Sequence, residues 1–107
     1  MKAVPLGSNV KISWDEYDGV AGKANVGGYL IQWKTSAGEW MVWTVANGIE
    51  GSTWRVTLVG DPELLSISPA AAIFGSGTWD IRVIALDKNY NKLGDGEYKV
   101  LTVTFPF

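Results

Sequence analysis

The sequence predicts an all-β fold, a seven-stranded antiparallel two-sheet sandwich, on three observations. Gly28-Tyr-Leu-Ile-Gln-Trp-Lys34 and Thr78-Trp-Asp-Ile-Arg-Val-Ile-Ala-Leu-Asp87 alternate with a period of two, so each is expected to bury one face and wet the other. Thirteen Gly and many β-branched residues, with no long helical period, favour strands over helices. Clusters of Gly, Asn, Asp and Ser separate the alternating runs, as turns do. At 107 residues, 47% hydrophobic and 19% charged, the chain reads as one globular domain over 1–107.

Taken in order, an edge strand is expected near Lys2 to Pro5. Val10, Ile12 and Trp14 alternate with Lys11 and Ser13 in a second strand, which ends at Asp15-Glu-Tyr-Asp-Gly19. The Gly-rich stretch to Gly28 reads as a loop. The third strand, Gly28 to Lys34, is expected to form a hairpin with Glu39 to Val45 across the turn Thr35-Ser-Ala-Gly38. Thr53 to Leu58 alternates Trp54, Val56 and Leu58 against Arg55 and Thr57. Alternation then fails from Val59 to Gly77. In that crossover Asp61-Pro62 begins either a turn or a helix, and Ser68-Pro-Ala-Ala-Ala-Ile-Phe74 has the start of a short helix. The strand from Thr78, a polar turn from Asp87 to Gly96 and a closing strand from Glu97 to Phe105 complete the set.

In this order the segments resemble the fibronectin type III family of immunoglobulin-like β-sandwiches. Asn9-Val-Lys-Ile-Ser-Trp14 is similar to its second strand, and Gly28 to Lys34 to its third, with Trp33 where a Tyr is usual. Thr53 to Leu58 resembles the strand before the crossover, and Thr78 to Ala85 the strand after it. Asp87-Lys-Asn-Tyr-Asn91 resembles the turn that follows, with Tyr90 where a Gly is common. Two departures stand out. Trp79 replaces the Tyr whose hydroxyl bonds back to the backbone at the sheet corner, and the crossover is longer than the family's usual turn. The resemblance implies a module for spacing, adhesion or protein recognition, and it implies no reaction.

Composition narrows the function classes. The chain has no Cys, hence no disulfide and no thiolate site. It has no His, so nucleophilic catalysis lacks its commonest base and a metal its commonest ligand. The net charge of −2 and the scatter of nine Lys and Arg argue against nucleic acid. No apolar run approaches the ~20 residues of a membrane-spanning helix. The N-terminal residues lack the apolar core of a signal peptide. Gly27-Gly28 and Gly75-Ser-Gly77 lack the spacing of phosphate-binding loops. No enzymatic activity, cofactor or metal is expected.

Six Trp are present. Trp14, Trp33, Trp54 and Trp79 occupy inward positions of alternating strands and are expected in the core. Trp40 and Trp43 lie three apart on one expected strand and point to opposite faces, so one is a core residue and the other exposed or covered. Asp87, Asn89 and Asn91 have calcium-loop spacing, but Lys92 and Tyr98 stand where that loop needs Gly and Glu, so the segment reads as a turn. Asp15, Glu16 and Asp18 are expected near Asp87 and Asp95 as a solvated loop face, without the cleft a glycosidase needs.

The expected function is therefore a non-catalytic structural or protein-interaction module, its partner a protein, a repeating lattice or a second copy. A free-standing copy with its own Met1 and no leader is odd for a secreted adhesin and points to a phage virion component such as a capsid decoration or tail-associated protein; the expected location is the virion or an extracellular surface. The aromatic ends at Phe105 and Phe107 are contacts in that reading, unless they fold back as the last turn of the closing strand. The alternative is a carbohydrate-binding or adhesion module, with Trp40 or Trp43, Tyr17 and Tyr90 as stacking platforms for a glycan.

Overall fold

The computed structural model describes residues 1–35 and 54–106, without the side chains of 54–57 and 97–99. Its strands are β1 (Lys2–Leu6), β2 (Asn9–Ser13), β3 (Gly28–Thr35), β4 (Trp54–Val59), β5 (Ser66–Ile67), β6 (Gly77–Leu86) and β7 (Lys92–Phe105). They form two antiparallel sheets, ordered β1-β2-β5 and β4-β3-β6-β7 among the described residues. The described residues hold no helix long and apolar enough to cross a membrane.

The core lies where the period-two alternation placed it. Val10, Ile12 and Trp14 from one sheet face Tyr29, Ile31, Trp33, Trp79, Ile81, Val83 and Ala85 from the other, all buried. Lys11, between Val10 and Ile12, is exposed. The expectation of one wet face fails on β3, where Leu30, Gln32 and Lys34 are also buried. A central strand has neighbours on both sides, and their side chains cover its outer face. Leu30 packs with Ile84 and Leu86 under the half-buried Tyr90. The Arg82 Nε donates to Gln32 Oε1 at 2.7 Å. Lys34 Nζ donates to Asp80 Oδ2 at 2.9 Å, and the Thr102 hydroxyl donates to the other Asp80 oxygen at 2.9 Å.

Two pairings differ from the sequence-based expectation. Both edges of β3 are occupied, by β4 and β6, so β4 (Trp54–Val59) is the hairpin-side neighbour that was expected from Glu39 to Val45. Residues 39–45 lie outside the described residues, as do Trp40 and Trp43. The strand before the crossover is thus a member of the larger sheet. The smaller sheet takes its third strand from within the crossover, as β5.

The crossover is less irregular than its sequence. Trp14 N donates to Leu65 O at 3.0 Å, and Val10 N donates to Pro69 O at 2.8 Å. Ala71 N returns a bond to Ser8 O at 2.9 Å. Residues 65–71 therefore line the free edge of β2, but Pro69 has no N–H to donate, and regular pairing is confined to Ser66–Ile67. The short helix expected near Ser68 is a single 3-10 turn, Ala71–Ile73.

That turn drives Phe74 between the sheets at one end of the sandwich. Its ring stacks on Phe105 with centroids 4.4 Å apart and meets Trp79 edge to face at 5.5 Å. Trp79 Nε1–H donates to the Phe74 carbonyl at 3.0 Å. The indole thus bonds back to the backbone five positions upstream, from the position where the resemblance expected a Tyr.

Candidate functional site

The opposite end collects the loops 14–27, 60–65 and 87–91, which leave β2, β4 and β6 and lead to β3, β5 and β7. The first of these is pinned across the fold. The Tyr17 hydroxyl donates to Asp95 Oδ1, and the second Asp95 oxygen accepts from Val20 N at 2.9 Å. The same hydroxyl accepts from Ala21 N at 3.3 Å, while Tyr17 N donates to the Tyr29 hydroxyl at 3.2 Å. Gly22 N donates to Gly19 O at 3.0 Å and closes a turn. A Cβ at Gly19 would overlap both Asp95 Oδ2 and the Tyr17 hydroxyl, so any larger residue here must displace the side chains of the clamp.

The clamp is also visible in the titration of its members. The hydrogen bond from Tyr17, then that from Val20 N, holds the Asp95 carboxyl below the ordinary carboxylate range. The bond to Asp95, with burial added, pushes the Tyr17 hydroxyl up. Beside the clamp, a groove of about 190 Å³ is lined by Glu16, Lys23, Val26, Tyr29, Glu63 and Lys88. Glu16 and Lys23 form a salt bridge across it at 3.0 Å, which raises the Lys23 pKa. Tyr29 and Val26 are buried beside it, and its lining carries charges of both signs.

The clamp leaves one side chain standing free. Val20 is 98% exposed while its own amide is bonded to Asp95. Leu64, in the neighbouring loop, is 54% exposed. Neither was singled out in the sequence, where Val20 is one small residue in a Gly-rich loop.

The expected site residues are placed as follows. Tyr17 is 1% exposed, so its ring is no stacking platform; its hydroxyl is drawn inward by Asp95. Tyr90 is half-buried with its ring over Leu30, Ile84 and Leu86, and its φ of 62° is the left-handed conformation that explains a Gly at this position in similar turns. Phe105 is 3% exposed and stacked on Phe74, so it is part of the closing strand's core rather than an outside contact. Trp40, Trp43 and Phe107 lie outside the described residues, as does the side chain of Trp54.

The expected meeting of the 15–18 loop with Asp95 is present, through Tyr17 and Val20 rather than through paired carboxylates. Asp87 spends its carboxylate within its own turn, accepting from Asn89 N at 2.8 Å and Asn91 N at 2.9 Å. Ser8 and Lys11 have the Ser-x-x-Lys spacing of some acyl-transfer enzymes. They sit on a hairpin turn and an exposed strand position, and the Ser8 hydroxyl is directed to Asn9 Oδ1 at 3.5 Å. No protein-family model, no curated protein and no solved structure matches the chain.

Proposed function

We propose that the chain is a non-catalytic protein-interaction module on a fibronectin type III-like sandwich, docking through its loop end. Support for the family likeness comes from strand order. Strands β1, β2 and β5 share one sheet while β3, β6 and β7 share the other with β4 beside β3, an immunoglobulin-like arrangement. The Trp79 bond to Phe74 O, in place of the corner Tyr, supports it further.

The observation that carries the functional reading is the exposure of Val20 on a loop held from below. A rigid apolar side chain presented to solvent loses little conformational entropy on binding, which is the property of an interface anchor. Leu64 and the salt-bridged rim extend the same surface with the apolar centre and polar border of protein interfaces. The glycan reading loses Tyr17 as a platform.

The test is photo-crosslinking in the producing cell from a benzoylphenylalanine at position 20 or 64, with position 11 as control. One specific protein is expected to crosslink from 20 and 64 and not from 11. Equal labelling from all three positions, or retention of the purified domain by a glycan, contradicts the reading.

A further inference from the structure

The pair Asp-Gly occurs twice in the sequence, as Asp18-Gly19 and Asp95-Gly96, and the fold brings the two together at the Tyr17–Asp95 clamp. An Asp followed by Gly can close a five-membered ring on itself, when the main-chain nitrogen of the Gly attacks the side-chain carboxyl carbon of the Asp. Gly favours the closure, because it has no Cβ to crowd the approach and its backbone turns freely. In a folded chain the closure depends on how that carboxyl and that nitrogen are held.

The two pairs are held differently. Both oxygens of Asp95 are engaged, Oδ1 by the Tyr17 hydroxyl and Oδ2 by Val20 N at 2.9 Å. Gly96 is buried in β7, where a Cβ would stand 2.5 Å from Ala85 O on the neighbouring β6. Its backbone has no room to turn towards the Asp95 side chain while β7 stays on β6. Asp18 is exposed in the loop, and among the described residues its carboxylate makes no hydrogen bond or ion pair. Gly19 lies outside any strand, and its N–H donates no hydrogen bond among the described residues. At 18–19 both reacting groups are unengaged, whereas at 95–96 the carboxylate is bonded and the Gly is packed against β6.

We infer that Asp18 is a site of spontaneous covalent modification, at which the folded chain converts aspartate to isoaspartate, while the clamp protects Asp95. In the first step Gly19 N gives up its proton and bonds to Asp18 Cγ, one carboxyl oxygen leaves as water, and a succinimide ring remains. In the second step water adds to one of the two ring carbonyls. Opening at Cγ restores aspartate. Opening at the main-chain carbonyl leaves Gly19 joined through the Asp18 side chain and frees an α-carboxylate. One water leaves and one returns, so the change is an isomerisation that needs no oxidant, reductant or further reactant. The product lengthens the main chain by one carbon between Tyr17 and Val20, both of which bond to Asp95. The added carbon displaces Val20 relative to Tyr17, so the Val20 amide loses its bond to Asp95.

The test incubates the unmodified chain at neutral pH, folded and in concentrated urea, and then digests it with trypsin. The two pairs fall in separate peptides, 12–23 and 93–99. Electron-transfer fragmentation distinguishes isoaspartate from aspartate in each. The ratio of conversion at 18 to conversion at 95 is expected to be at least about tenfold higher in the folded chain than in urea, since a folded Asp95 must first give up two hydrogen bonds to its charged carboxylate.

Two further measurements read the consequence. Chain enriched in isoaspartate at 18 is expected to exchange its Val20 amide faster than unmodified chain. Asp18→Glu, whose ring would need six members, is expected to show no conversion at 18 and to keep the Val20 amide of the incubated chain at its starting rate. Absence of isoaspartate at 18 in the folded chain, the same ratio of the two sites folded and in urea, or Val20 exchange unchanged by the modification overturns the inference.

Discussion

The indole N–H of Trp79 donates to the carbonyl of Phe74 at 3.0 Å, while the two rings meet edge to face with centroids 5.5 Å apart. One residue thereby fixes both the backbone and the side chain of the other, at the point where the crossover enters β6. Trp33 offers a contrast within the same cluster. It packs against Phe74 with centroids 5.5 Å apart, but its own indole nitrogen is buried without a hydrogen-bond partner among the described residues.

The two Trp residues are therefore expected to respond differently to the same substitution. Each Trp→Phe change removes the same atoms, but only Trp79→Phe leaves a buried carbonyl without its donor. Trp79→Phe should cost about 1–3 kcal/mol more than Trp33→Phe. Urea unfolding midpoints of the two variants check this, and equal losses would show that the corner bond contributes nothing.

Phe74→Ala empties the space between Trp33, Trp79 and Phe105. The ring is 3% exposed, so the loss is expected near the upper range for core aromatics, about 3–5 kcal/mol. Denaturant titration followed by Trp fluorescence reads this loss.

Gly27 lies where β3 begins under the end of β6, and its N–H donates to Leu86 O at 2.8 Å. A Cβ there would stand 2.6 Å from Lys88 Cα, a backbone atom that cannot swing aside. Gly27→Ala is expected to destabilise by about 1–3 kcal/mol through this overlap. Gly94→Ala meets open space and is expected to change stability by less than about 0.5 kcal/mol. Thermal melts of the pair make the comparison.

The Tyr17–Asp95 clamp predicts a pH dependence with two limbs. Asp95 titrates below its ordinary value in the folded chain, so its contribution is complete above the usual carboxylate range, near pH 4, and is lost as pH falls through the depressed value. Tyr17 titrates above its ordinary value, so its contribution is complete below about pH 10 and is lost as pH rises through the raised value. Because each partner is the main cause of the other's shift, Asp95→Asn should flatten both limbs of stability, while Tyr17→Phe should remove the alkaline limb and leave the part of the acid limb that the Val20 amide supports. Urea midpoints measured from pH 2 to 11 check this.

How much of this was legible in the sequence depends on what alternation encodes. It marks which face of a strand is apolar, and so Val10, Ile12, Trp14, Tyr29, Ile31, Trp33, Trp79, Ile81 and Val83 are all core residues as their spacing indicates. It does not mark which strand lies alongside. Thr53 to Leu58 was readable as a strand, but the place of β4 beside β3 follows from pairing across the fold. β5 was hidden because Pro69 leaves only two residues of regular ladder, with the rest held by isolated bonds. Tyr17, set among Asp15, Glu16 and Asp18, reads as a solvated residue. Its burial depends on Asp95, 78 positions away, a relationship no local pattern carries. Tyr90 was legible in part, since a turn that favours Gly implies the positive φ it adopts.

The central claim is that the loop bearing Val20 is held as a fixed platform, and amide hydrogen exchange at Val20 measured by NMR tests it most directly. The account predicts slow exchange at Val20, whose amide donates to Asp95 at 2.9 Å, despite a side chain 98% exposed, and loss of that protection in Asp95→Ala. Exchange at the rate of an unprotected amide in the unmodified chain would contradict it.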